Sequence, residues 1–106
     1  MNDRLEQLRA LLLEEPKDGF LRYAIALELK RMGRSAEAIA GLEALLHDDP
    51  AHVPSYYQLA VLLSEAGRQP EAIAACEAGA LQCLVVGDRK ARGELLTLKD
   101  TLEDLS

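Results

Sequence analysis

The chain contains no tryptophan and a single phenylalanine, and only 4% of its 106 residues are aromatic. Leu, Ala and Glu recur where a sheet protein would carry β-branched and aromatic residues, so an all-β architecture is excluded and an all-α one is predicted. Basic residues are also scarce, twelve against eighteen acidic, leaving a net charge of −6. A polyanion would meet a repulsive field, which speaks against nucleic acid or an anionic membrane as partner. No apolar run approaches the eighteen residues of a membrane span, and the start Met-Asn-Asp-Arg-Leu-Glu lacks the basic, then apolar, pattern of a secretory leader. A soluble, cytoplasmic protein is expected.

The groups that carry most chemistry are few as well. The two cysteines, Cys76 and Cys83, lie seven apart in one predicted helix. At 1.5 Å rise per residue their backbones are roughly 10 Å apart, beyond the ~7 Å that a disulfide spans, so buried reduced thiols are expected. Gly33 and Gly67 each stand alone, and no glycine-rich phosphate loop occurs. His47 and His52 flank Asp48 and Asp49, but the spacing matches no zinc motif, and Cys76 has no histidine near it in sequence. Neither an enzyme nor a cofactor or metal site is expected.

What is present is a period. Gly33-Arg34-Ser-Ala-Glu37-Ala38-Ile39-Ala40 recurs as Gly67-Arg68-Gln-Pro-Glu71-Ala72-Ile73-Ala74, and residues 17–50 laid over 51–84 give 11 identities in 34 positions. The same offset carries Leu8, Ala10, Leu11, Leu12 and Pro16 onto Leu42, Ala44, Leu45, Leu46 and Pro50, so residues 1–16 read as the second half of an earlier unit. A fixed period of this length is the signature of a repeat array whose units stack because none can bury its face alone.

Within each unit the punctuation is helical. Gly33 and Gly67 supply a tight turn, Ser35 is placed to cap the helix that follows, and Pro54 and Pro70 sit at helix starts, where a missing N–H is harmless. Pro16 and Pro50 close the preceding helices. Six helices follow, approximately 2–14, 18–32, 35–47, 52–66, 69–85 and 88–104. The last breaks register: cut at 34 it places Lys90, Gly93, Glu94 and Thr97 where apolar residues belong, whereas one inserted residue brings in Ala91, Leu95, Leu98 and Leu102. A single domain over 1–106 is expected, as half repeat 1–16, repeats 17–50 and 51–84, and capping helix 85–106.

A 34-residue helix-turn-helix unit resembles the tetratricopeptide repeat, whose pattern runs W-x2-L-G-x2-Y, A-x3-F, then P. The first full unit reads Arg22-x2-Ile25-Ala26-x2-Leu29, Ala38-x3-Leu42, Pro50; the second reads Tyr56-x2-Leu59-Ala60-x2-Leu63, Ala72-x3-Cys76, then Leu84. Arg22, Cys76 and Leu84 depart from the pattern. The resemblance covers essentially the whole chain and implies a right-handed superhelix of antiparallel helical hairpins. Small Ala26 with Ala38, and Ala60 with Ala72, suit the close approach of paired helices. Arg4 stands in the first helix where Ala38 and Ala72 stand later, which marks that end as a cap or a docking edge.

The resemblance also implies a concave groove, lined by the first helix of each unit, that receives a peptide or helix of another protein. The matching places hold Phe20, Tyr23, Leu27 and Lys30, then Tyr57, Val61 and Ser64, with Arg92 on the capping helix. Tyr23 and Tyr57 are equivalent and amphipathic, as binding-site residues often are. Alternatively they fill space between neighbouring first helices. Some relatives clamp a peptide carboxylate with Lys and Asn, but here those places hold Tyr23, Leu27 and Gln58, so that ligand is disfavoured. Acids crowd the second helices while Lys30, Arg31, Arg89, Arg92 and Lys99 fall on first helices or the cap, which favours an acidic or neutral ligand. The expected function is therefore protein binding by a monomer or weak homodimer. The alternative is self-association through an end helix, suggested by Leu5, Leu8 and Leu12 on the leading helix.

Overall fold

The computed structural model describes residues 3–105 and, among them, six helices and no strand. They are α1 (Asp3–Glu14), α2 (Gly19–Arg31), α3 (Ser35–Asp48), α4 (Val53–Glu65), α5 (Gln69–Val86) and α6 (Arg89–Asp104). Each coincides with an expected helix to within a residue or two, the ordinary uncertainty of a helix end. The expected helix start at Asn2, and the chain ends Met1 and Ser106, lie outside the described residues. The chain divides into two compact units, Met1–Asp49 and Pro50–Ser106. In the first, α2 packs between α1 and α3; in the second, α4 and α6 both pack on α5 and touch each other.

The hairpin turns follow from one conformational requirement. Gly33 and Gly67 take φ of 77° and 78°, which side chains resist and glycine permits. The chain then closes twice over: Gly33 N–H donates to Lys30 C=O and Arg34 N–H to Leu29 C=O, with Gly67 to Ser64 and Arg68 to Leu63 repeating the pattern. Only one residue separates each glycine from the next helix. The cap position therefore falls on Arg34, with Ser35 already the first helical residue, which corrects the expectation that Ser35 caps α3. Neither Arg34 nor Arg68 caps with its side chain. Instead Arg34 forks onto Glu37 (Nε and Nη2 each 2.7 Å from a carboxylate oxygen) and Arg68 onto Glu71 (3.0 and 2.6 Å). Each arginine holds its glutamate below the usual carboxylate range. Asp18 and Asp88 cap α2 and α6 by accepting from the N–H of Leu21 and Ala91, each at 3.0 Å.

The small residues do what their size suggests. Ala26 and Ala38 in the first unit, and Ala60 and Ala72 in the second, are buried at the helix crossings, with Leu29, Leu42, Leu59 and Leu63 filling the space around them. Two further contacts were not legible from the period. In the first unit, Glu28 is only 5% exposed, where the second unit has buried Leu62. Its carboxylate accepts from Arg31 (Nε, 3.0 Å; Nη2 also bonds it) and lies 3.6 Å from Arg4 on α1. In the second unit, Gly79 of α5 lies against Tyr56 of α4 and Leu95 of α6. A Cβ there would sit 2.6 Å from Tyr56 Cβ and 2.9 Å from Leu95 Cδ1, so this glycine sets how closely the three helices approach.

Helix α6 buries Leu95 and Leu102 and half-buries Ala91 and Leu98, the register that one inserted residue restores. Helix α5 runs on past the place of the missing proline and ends at Gly87, again left-handed with φ 79°.

Candidate functional site

In the first unit, the expected binding residues of α2 fall on one face, at spacings of three and four residues. Phe20 is 75% exposed, and Tyr23, Leu27 and Lys30 are half-buried beside it. On another face of α2, Arg22 donates from Nη1 to Asp48 Oδ2 at 2.9 Å. It thereby occupies the large-apolar place of the repeat pattern by snorkelling its stem and tying α2 to the end of α3. Lys17, Gly19, Arg22, Leu45, Asp48 and Asp49 line a hollow of about 360 Å³ there. Beside the α2 face, the Glu28 carboxylate raises the pKa of Arg31 through their hydrogen bond, fixing that guanidinium at the helix end.

In the second unit, Tyr57 and Val61 stand on α4 with Tyr57 38% exposed. Tyr57 forms one wall of a hollow of about 750 Å³. The other wall is a face of α6: Arg89, Lys90, Gly93, Glu94, Thr97, Leu98 and Thr101. Four of these, Lys90, Gly93, Glu94 and Thr97, are the residues that an uninterrupted 34-residue register would have placed in the core. The register break thus turns a polar face of α6 toward Tyr57. Two cations, Arg89 and Lys90, against one acid, Glu94, leave the hollow locally positive in a chain whose net charge is −6. The Thr101 hydroxyl donates to Thr97 C=O at 3.1 Å, so its proton is committed within the helix.

Two expected site residues are placed otherwise. The Ser64 hydroxyl donates to Gln69 Oε1 at 2.8 Å, and Gln69 Nε2 donates to Leu102 C=O at 3.1 Å, a strut from α4 to α6. Arg92 does not line the Tyr57 hollow; its charge bears on Cys83, on the other edge of α6. The face of α6 that does line the hollow was not among the expected site residues, although its signal, a run of polar residues at core places, is in the sequence.

The thiols are structural. Cys76 and Cys83 are free and buried, and burial raises both, Cys76 to about 11, so neither is a ready nucleophile. Among the described residues no group of three or more His, Cys, Asp or Glu is placed to hold a metal ion, and no helix is long and apolar enough to cross a membrane.

Six helices joined as tight hairpins, with alanines at the crossings and left-handed glycines at a 34-residue interval, define a helical-hairpin repeat protein. Solved tetratricopeptide repeat domains are similar to it. A tetratricopeptide repeat domain protein of Salinibacter ruber, solved by NMR, is 33% identical, with a TM-score of 0.83 over 86% of this chain and 92% of that one. Its crystal structure gives 32% identity and a TM-score of 0.80, covering 84% of this chain and 99% of that one. The TPR2B domain of yeast Sti1 in a pHsp70 complex shares the fold at 18% identity, with a TM-score of 0.88 over 96% of this chain and 82% of that one. No family model and no curated protein matches the chain. On the Salinibacter relative, the chain belongs to the tetratricopeptide repeat family.

Proposed function

We propose that the chain is a non-catalytic protein-interaction module whose first-helix faces seat a peptide or helix of a partner protein. The observation that carries this reading is the hollow beside Tyr57: an exposed aromatic edge facing a cationic and hydroxyl-bearing helix, too open for a buried core and too polar for packing alone. Tyr57 and Val61 are its anchors in the second unit, Tyr23 and Leu27 their equivalents in the first, and Arg89 with Lys90 selects a ligand of acidic or neutral character. The Sti1 domain of the same fold was solved in a pHsp70 complex, which supports protein binding as the use of such a surface.

Affinity capture from extract of the source cell tests this, comparing wild type with a Tyr23→Ala, Tyr57→Ala double variant of unchanged helicity. A partner held by wild type and lost with the variant is expected. Equal capture by both would refute the assignment of these faces.

A further inference from the structure

On the leading helix, the alternative seat of self-association, Leu5 and Leu8 are buried within the first unit and Leu12 is half-buried, while Leu11 and Leu13 are exposed. The larger exposed apolar face lies on α5. Leu81, Leu84 and Val85 are 61%, 60% and 72% exposed, and Ala74 and Ala78 continue the outward stripe at helical spacing. The internal repeat is a control for this face. The places 34 residues earlier hold His47, Pro50 and Ala51, so the fold itself does not call for large apolar groups here.

We propose that this face of α5 seats the same face of a second copy of the chain, antiparallel about a two-fold axis at Leu81. Three features fit that occupant. The first is area. The outward Leu, Val and Ala side chains offer roughly 500 Å² per chain, so a pair with its polar rim buries on the order of 1,200 Å², the low end for a specific interface. The second is shape: reversing the stripe about Leu81 sets small Ala78 of one copy against bulky Leu84 of the other.

The third is charge. Glu77 and Lys99 form a loose 3.6 Å pair on one edge of α5 and α6, and one rung of seven residues along each helix the same edge carries Leu84 and Arg92. Arg92 has no ion pair among the described residues. A two-fold axis lying between the helices keeps this edge on the same side in both copies while reversing its direction, so Glu77 of each copy meets Arg92 of the other. A parallel two-fold pair would place the two edges on opposite sides, where Glu77 and Arg92 do not meet. An isologous contact of this kind closes as a dimer.

The surface is separate from the Tyr57 hollow, so the test does not depend on the proposed function. Light scattering at rising protein concentration is expected to show the mass doubling from the 11.6 kDa of one chain. Leu81→Glu with Val85→Glu should restore the single-chain mass without loss of helicity, because both side chains are exposed, while Ala40→Glu on the equivalent face of α3 should leave the dimer intact. Glu77→Arg and Arg92→Glu should each weaken the dimer, and the two together should restore it. A single-chain mass at every concentration, or a dimer indifferent to the Leu81 and Val85 changes, would overturn the proposal; failure of the charge swap to restore the dimer would overturn the antiparallel arrangement.

Discussion

Glycine to alanine should have opposite effects at two places in this chain. In Gly41→Ala on α3, the added Cβ meets nothing within 4 Å, and the second unit already has Ala75 at the equivalent place. Replacing a mid-helix glycine then gains about 1 kcal/mol, by restricting the unfolded backbone and through intrinsic propensity. In Gly79→Ala, the same gain is opposed by three contacts under 3.0 Å. Two are to Tyr56 Cβ and Cγ, near the α4 backbone, and the ring cannot swing away freely because its hydroxyl donates to Pro50 C=O at 2.6 Å. Overpacking at the upper end of its usual range, about 3 kcal/mol, leaves a net loss of ~2 kcal/mol. For a domain of this size that lowers Tm by roughly 10 °C, whereas Gly41→Ala should raise it by about 5 °C. Thermal and urea denaturation followed by circular dichroism reads both. Gly79→Ala as harmless as Gly41→Ala would refute the idea that this glycine sets the approach of α4, α5 and α6.

Three further outcomes are expected. Glu28→Leu should be neutral or stabilise by ~1 kcal/mol in urea unfolding, because Leu62 fills the equivalent place and the two arginines released, Arg4 and Arg31, are already about two-thirds exposed, so no charge is stranded in the interior; a loss as large as a core truncation would contradict this. Cys76 and Cys83 should react slowly with an aromatic disulfide reagent at pH 8 in the native protein and promptly in denaturant. Their raised pKa also means that stability falls as pH climbs past the ordinary thiol value of 9.0, where unfolded thiols ionise and the buried ones do not; fast native labelling would refute the assignment.

The fold was legible because its determinants are local and repeated. A left-handed glycine and two small residues at a crossing each leave a mark in the sequence, and the 34-residue period shows each mark twice. Arg34 took the cap place of Ser35 because the turn is one residue tighter than capping preference alone suggests. The site was less legible. Ser64 has the right position on α4 for a groove residue, but its hydroxyl is committed to Gln69, a partner that no spacing rule reveals. The α6 face opposite Tyr57 depends on how the last helix is rotated, which one inserted residue decides.

Comparing the units separates what the fold requires from what this chain adds. Gly33 and Gly67, Arg34 with Glu37 and Arg68 with Glu71, and the crossing alanines are shared, and they build the hairpin. Two groups of differences, by contrast, are compensated sets. Where the second unit sets bulky Tyr56 against Gly79, the first has Arg22, tied to Asp48, and the larger Leu45. Where the second has Leu62, the first has Glu28, held by Arg31 and by an Arg4 that stands where the later second helices carry an alanine. Each change would be costly alone: a buried carboxylate without its arginines, or a tyrosine against a leucine at the Gly79 place. Leu81, Leu84 and Val85 replace His47, Pro50 and Ala51 on the lengthened α5 and remain exposed. Side by side on one helix they form a contiguous exposed apolar face, the kind of surface that marks an interaction site, and the proposed second copy is seated there.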